Sequence, residues 1–341
     1  MRAFITGLAG PELTVGERQF LKEAEPWGLI LFKRNIAEPD GLRRLVEEFR
    51  AVVGRKAPVL IDQEGGRVQR LGPPHWPFYP PGAAYGALYD RDRHMGLAAA
   101  KLGARLIAAD LADLGIDVDC LPIADVPVRD ADPIIGNRAY GTDPAKVADI
   151  AAAVTAGLLE GGVLPVLKHI PGHGRATADS HEKLPVVSAD RATLEATDFA
   201  AFRPLKDLPL GMTAHVVFTA FDPVAPATTS ANIVRSVIRD SIGFRGLLMS
   251  DDISMGALSG SLGERSRAAI AAGCDMVLHC NGKMPEMREV AAAVPQLAGE
   301  AARRAEAALA MRKPPQPIEL AAPYDALLKL IAGVAPASGL A

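Results

Sequence analysis

The chain has 341 residues, 49% of them hydrophobic and 23% charged, the balance of a soluble globular protein. Its 37 basic and 40 acidic residues leave a net charge of −3, which argues against a nucleic-acid surface or an anionic-membrane partner. Three cysteines, Cys120, Cys274 and Cys280, are too few for a disulfide framework, and the first residues lack the apolar region of a secretory signal, so a cytoplasmic location is expected.

Eight short apolar runs read as strands: Arg2–Ile5, Gly28–Phe32, Pro58–Ile61, Asp117–Leu121, Val163–Lys168, Gly211–His215, Gly246–Ser250 and Asp275–His279. They show little polar alternation, as strands buried on both faces do. Helical patterns lie between them, at Pro39–Val53, Leu97–Leu114, Pro144–Glu160, Thr193–Leu205, Ala231–Ile242 and Glu264–Ala272. Asp143 before Pro144 has the form of an N-cap followed by proline at the first helical position. The alternation predicts an α/β fold, a single (β/α)8 TIM-type barrel over residues 1–312. A doubly wound sheet is the alternative, but no GxGxxG follows the first strand.

Leu71–Tyr89, with five prolines and Trp76, Phe78 and Tyr79, reads as a long loop and excludes a membrane helix there. Its aromatics either contact a ligand at the pocket mouth or cap the side of the barrel. Gly172–Pro185 reads as a second long loop, polar in character; loops of such length are usually functional or disordered. Pro314, Pro315 and Pro317 end an Ala/Arg-rich helix, leaving residues 313–341 as a C-terminal extension. A short helix at about Tyr324–Ile331 is expected to dock on the body, with the last residues frayed.

In such a barrel the active site lies at the C-terminal ends of the strands. Unusual polar residues collect there: Asp62 to Arg67, then Asp125 with Arg129 and Arg138 beyond it, Lys168-His169, His215, Ser250-Asp251-Asp252, and His279 with Asn281. Charges directly after buried strands are costly unless paired or used. Asp251 and Asp252 alternate on an extended strand, so one faces the pocket and the other braces a loop. Asp179 and His181, two apart, can share a side, where the carboxylate orients the imidazole and favours its protonated form. Arg67 and Arg70 could reach a ligand or lock Asp62 and Glu64 in place. His169 and His173 could be metal ligands, but Gly172 and Pro171 disfavour a helix presenting both, and no cysteine cluster joins them.

Four segments occur in order: Asp62-Gln63-Glu64-Gly65-Gly66-Arg67-Val68-Gln69-Arg70, Lys168-His169-Ile170-Pro171-Gly172-His173-Gly174, Asp179-Ser180-His181 and Ser250-Asp251-Asp252-Ile253-Ser254-Met255. Together they resemble the family 3 glycoside hydrolases, and more narrowly the bacterial cytoplasmic β-N-acetylhexosaminidases of cell-wall recycling. The likeness spans roughly residues 1–310; Ile170 and Ile253 stand where the family has Phe and Leu. The resemblance implies a retaining exo-β-N-acetylglucosaminidase acting on terminal β-linked GlcNAc of muropeptides. Asp251 matches the nucleophile, His181 the acid/base and Asp179 its supporting carboxylate. Asp62, Arg70, Arg138, Lys168 and His169 match the sugar-binding positions. It implies no cofactor and no metal, and a monomer is expected. Phosphorolysis or another family 3 β-glycosidase activity is the alternative within the class. A metal-dependent amidohydrolase and a non-catalytic sugar-binding barrel are the alternatives outside it.

Overall fold

A computed structural model describes residues 1–333. Eight parallel strands close into a barrel: β1 (Arg2–Thr6), β2 (Pro26–Leu31), β3 (Val59–Ile61), β4 (Val118–Asp119), β5 (Leu164–Ile170), β6 (Leu210–Thr213), β7 (Leu247–Asp252) and β8 (Met276–His279). Each pairs with its neighbours in chain order, and β1 meets β8 with Phe4 opposite Val277 and Thr6 opposite His279. The (β/α)8 reading from the alternation of runs therefore holds.

Side chains alternate along each strand between two separate apolar clusters. Ile5, Ile30, Leu60, Val118, Val166, Met212, Met249 and Leu278 fill the interior. Phe4, Leu29, Ile61, Leu167, Leu248 and Val277 face the surrounding helices. Those helices are α1 (Val15–Ala24), α2 (Pro39–Val53), α3 (Gly82–Arg91), α4 (Arg93–Asp113), α5 (Pro144–Glu160), α6 (Arg191–Ala196), α7 (Leu262–Ala272) and α8 (Met284–Ala293), with a wider-wound helix at Ile233–Ser241. Caps set their starts: Asp143 accepts from the Lys146 N–H, and Thr14 and Ser261 form reciprocal capping boxes with Glu17 and Glu264.

Two expectations need correction. Leu71–Tyr89 is not loop throughout, because α3 begins at Gly82. Its glycines report close packing: a Cβ would stand 2.1 Å from the Arg138 carbonyl oxygen at Gly82 and 1.8 Å from that of Tyr140 at Gly86. Thr193–Leu205 is not one helix. The chain turns after Ala196 so that buried Asp198 can meet Arg175, and Pro204, which lacks an N–H, lies in a separate short turn.

The N-terminal end of the barrel is sealed by α9 (Gly299–Ala310), whose Ala305 and Ala308 pack into the interior cluster. Asp275, entering β8, accepts from Arg304 (2.8 Å), Arg239 (2.8 Å) and the Leu248 N–H (2.9 Å). Asp117, entering β4, accepts from Arg312, Arg50 and the Val59 N–H in the same way. Beyond α9 the chain runs up the outside of the barrel, and α10 (Ala321–Ile331) docks on α3 and α4 with Leu327 buried. The Tyr324 hydroxyl donates to the Phe78 carbonyl at 2.7 Å. The expected fraying of the last residues concerns 334–341, which lie outside the described residues.

Candidate active site

A cavity of about 500 Å³ opens at the C-terminal end of the barrel. On its β3 side, Gln63–Gly65 folds back against Val68–Gln69. Gly65 and Gly66 turn this hairpin with φ of 88° and 57°, and a Cβ on Gly65 would stand 2.3 Å from the Pro80 carbonyl oxygen. The Gln63 side chain accepts from the N–H groups of Arg70 and Leu71, which brings Arg70 back over the strand end.

Five charged groups then alternate in sign. Arg70 donates to Asp62 at 2.9 Å, and Lys168 lies 2.8 Å from Asp62 and 2.7 Å from Glu64. Arg138 donates through Nε and Nη2 to both oxygens of Glu64, each at 2.8 Å. Burial alone would raise the carboxyls, but Lys168 and the arginines outweigh it: Asp62 lies far below the ordinary range and Glu64 is held down to about 2. Burial would likewise lower Lys168, and the two carboxylates reverse that. Asp62, Glu64 and Lys168 therefore stay charged at neutral pH. Lys168 keeps one N–H uncommitted among the described residues, since two of its three donors are taken by carboxylates. Glu64 is thus locked by Arg138 and Lys168, whereas Arg67 donates to the carbonyls of Pro133 and Ile134.

Asp251, at the end of β7, lines the cavity and accepts the Asp252 N–H at 2.7 Å. Burial would raise its carboxyl, but the fields of His215 and His169, that N–H and Lys168 bring it below the ordinary range. Asp252 braces the following loop, accepting from the Ser254 N–H and hydroxyl and from the Cys280 N–H. His215, lowered by burial, donates from Nε2 to the Asp252 carbonyl, and its Nδ1 lies 2.7 Å from the Thr228 hydroxyl.

Asp125 sits below the ordinary range despite burial, because His169 and His173 surround it. Being ionised it only accepts, so His169 donates from Nδ1 at 2.7 Å and keeps Nε2 for other partners. Asp179 is likewise lowered against its burial, by hydrogen bonds from His181, whose main-chain N–H (2.8 Å) and Nδ1 (2.7 Å) both reach Oδ1. That leaves His181 Nε2 for proton exchange.

The cavity lining brings together Asp62, Arg70, Arg138, Lys168, His169, His181 and Asp251, and Asp179 joins it through His181. Arg67, His173, Asp252 and Asn281 also line it, whereas others singled out along the chain do not. Arg129 is exposed and outside the cavity, and His279 turns outward to Glu286. Trp76 and Tyr79 are buried on the side of the barrel, Tyr79 donating to Asp110 at 2.6 Å, so these two cap the barrel's side and do not line the cavity. Among the described residues no three His, Cys, Asp or Glu side chains converge as a metal-ligand group.

One group went unread in the sequence. Asp119, fully buried at the end of β4, accepts the Gln63 N–H at 3.0 Å, and burial pushes its carboxyl well above the ordinary range. A carboxyl shifted toward its neutral form therefore lies beneath the five-charge row. Its position inside an apolar strand gave no signal beyond its being an acid in the wrong place.

Residues 10–310 match the glycosyl hydrolase family 3 N terminal domain. A beta-hexosaminidase of Alkalilimnicola ehrlichii is 41% identical over 281 residues, covering 81% of this chain and 79% of that one. The beta-hexosaminidase of Chromobacterium violaceum is 37% identical over 88% of this chain and 84% of its own. Among solved structures, NagZ from Neisseria gonorrhoeae in complex with N-trifluoroacetyl-D-glucosamine superposes with a TM-score of 0.84 at 31% identity, over 98% of this chain and 96% of that one.

Proposed function

The chain belongs to glycosyl hydrolase family 3, as a β-N-acetylhexosaminidase, and on that premise we propose that it removes terminal non-reducing β-linked N-acetylglucosamine from muropeptides with retention. The observation that carries this reading is the shared cavity of Asp251 and His181 above the charged row. A retaining glycosidase needs a nucleophile on one face of the sugar and a proton donor beside the leaving oxygen.

Asp251, held ionised, attacks the anomeric carbon, and the bond to the leaving oxygen breaks. His181 gives the proton on Nε2 to that oxygen, while Asp179 holds Nδ1–H and stabilises the imidazolium before transfer. Neutral His181 then takes a proton from water as the water attacks the glycosyl ester, freeing Asp251. Asp62 accepts from sugar hydroxyls, the spare N–H groups of Lys168, Arg70 and Arg138 supply the donors, and His169 Nε2 is left to meet a hydroxyl.

Two features favour an acidic aglycone such as a muropeptide. Arg34 and Arg67 line the cavity without an ion pair to a carboxylate among the described residues. An aglycone carboxylate would supply that missing partner. The cytoplasm is the site of action that goes with such a substrate, on the resemblance to the enzymes of cell-wall recycling. Among the described residues no helix is long and apolar enough to cross a membrane.

The test is turnover of p-nitrophenyl β-N-acetylglucosaminide beside the matching β-glucoside, in phosphate and in phosphate-free buffer. Hydrolysis of the N-acetyl substrate, abolished in Asp251→Ala and cut in His181→Ala by about 10²-fold or more, is expected. Turnover indifferent to Asp251 would sink the mechanism, and a sugar phosphate among the products would replace hydrolysis by phosphorolysis.

A further inference from the structure

Among the described residues the side chains of the acid/base pair make no hydrogen bond to the barrel. Both hydrogen bonds of His181 to Asp179 are internal to their loop. The His181 side chain is 63% exposed, which a proton donor entering from solvent tolerates and a precisely placed one does not. Something else must set where this pair stands.

The residue between them does so. Ser180 is 3% exposed, turned the opposite way from its two neighbours, and its hydroxyl lies 3.0 Å from His173 Nε2. His173 is equally buried, just past the end of β5. Its main-chain N–H donates to Asp125 Oδ1 at 2.6 Å, and the other oxygen of Asp125 holds His169. A continuous chain therefore runs from His169 in the cavity, through Asp125 and His173, to Ser180 and the pair that flanks it.

The imidazole has no alternative partner. Its Nδ1 is buried with no hydrogen bond among the described residues, so Ser180 is the one group that satisfies the ring. Burial and the neighbouring His169 hold His173 down to about 4, so it is neutral at working pH and its bond to Ser180 does not titrate there. The loop has a second support from the side, where the N–H groups of Gly256 and Ala257 donate to the carbonyls of His181 and Ser180 at 3.0 and 3.1 Å. These residues belong to the segment after Asp251.

We propose that His173 is a positioning residue of the reaction, which through Ser180 fixes the Asp179–His181 pair over the cavity. The inference rests on the acid/base reading of that pair. A misplacement of about 1 Å can cost a reaction about 10²-fold, and general acid catalysis is worth about 10²–10⁴-fold, so a loosened loop costs rate only where a proton must be delivered.

The experiment compares N,N′-diacetylchitobiose, whose sugar leaving group needs a proton, with 2,4-dinitrophenyl β-N-acetylglucosaminide, whose leaving group does not. Ser180→Ala is expected to lose about tenfold or more in kcat/KM on the disaccharide and less than about twofold on the dinitrophenyl substrate. His173→Ala is expected to behave alike, and His173→Gln, whose amide can reach Ser180, to recover most of the loss. If His173→Ala does not fold, Ser180→Ala decides alone, since it removes one hydroxyl. His181→Ala is run beside them and should show the same selectivity more deeply. Equal losses on both substrates in Ser180→Ala, or no loss, with His181→Ala still selective, would overturn the proposal and leave the acid/base reading standing. An unselective His181→Ala would overturn that reading and the proposal with it.

Discussion

Replacing Lys168 by methionine tests the five-charge row at its centre. Lys168 is 2% exposed and touches Asp62 at 2.8 Å and Glu64 at 2.7 Å. At an effective dielectric of about 20, each contact is worth roughly 6 kcal/mol of gross attraction. Much of that is offset by desolvation, and each carboxylate retains one arginine, so the net loss should fall at about 3–5 kcal/mol. With an unfolding entropy of about 2.1 cal/mol/K per residue over 341 residues, Tm should fall by about 4–7 °C at pH 7. The loss must also depend on pH. In the folded wild type both carboxyls lie below their unfolded values, so their contribution is complete above about pH 4.5 and fades as pH falls toward the folded value, about 2 for Glu64. Lys168→Met removes the field that lowers them, so the gap between the two proteins should narrow on acidification. Scanning calorimetry at pH 7 and pH 4 reads both effects. A drop below about 1 °C at pH 7, or the same drop at both pH values, would refute the reasoning.

Gly256→Ala should lower kcat/KM on substrates with sugar leaving groups more than on activated ones, because its Cβ would lie 2.6 Å from the Glu182 carbonyl oxygen and push the loop of Asp179 and His181; steady-state kinetics on the two substrate types reads this. Arg67→Ala should raise KM several-fold, for about 1 kcal/mol of lost attraction, on an aglycone bearing a carboxylate and leave a neutral aryl glycoside unchanged. Equal effects on both would remove the case for charge selection. Asp275→Asn should cost about 3 kcal/mol and about 4 °C in Tm, since it uncouples Arg239 and Arg304 at the sealed end of the barrel. Its kcat/KM at a temperature where it is folded should match wild type.

The eight strands were legible because both of their faces are apolar, which leaves runs such as Leu29–Leu31 and Val163–Leu167 unbroken by polar residues. The helices Pro39–Val53 and Pro144–Glu160 were legible to the residue, because proline at the start and glycine at the end mark both boundaries. Composition misled at Gly82–Arg91, where glycine serves contact between a helix and a neighbouring backbone rather than a turn. The polar set at the strand ends was legible as a set but not as a network. That Glu64 belongs to Arg138, 74 residues away, depends on how two loops cross over the barrel. The partner of His173 was hidden for a simpler reason: Ser180 stands between Asp179 and His181 in the chain, and only the direction of its side chain brings its hydroxyl to the imidazole.

The closure of the barrel has a consequence for biosynthesis. Phe4 is opposite Val277, so β1 emerges from the ribosome roughly 15–55 s before its partner at translation rates of about 5–20 residues per second. Through that interval the first strand has one unpaired edge and the inward faces of the growing sheet stay open, the conditions under which nascent chains aggregate or recruit chaperones. Even then the barrel lacks its floor, because Ala305 and Ala308 follow later still. Asp117 and Asp275, each with one arginine already synthesised, lack their second until Arg312 and Arg304 arrive. Supplying a chaperone that holds the open sheet should therefore raise the yield of folded enzyme more than any change to the residues of the pocket.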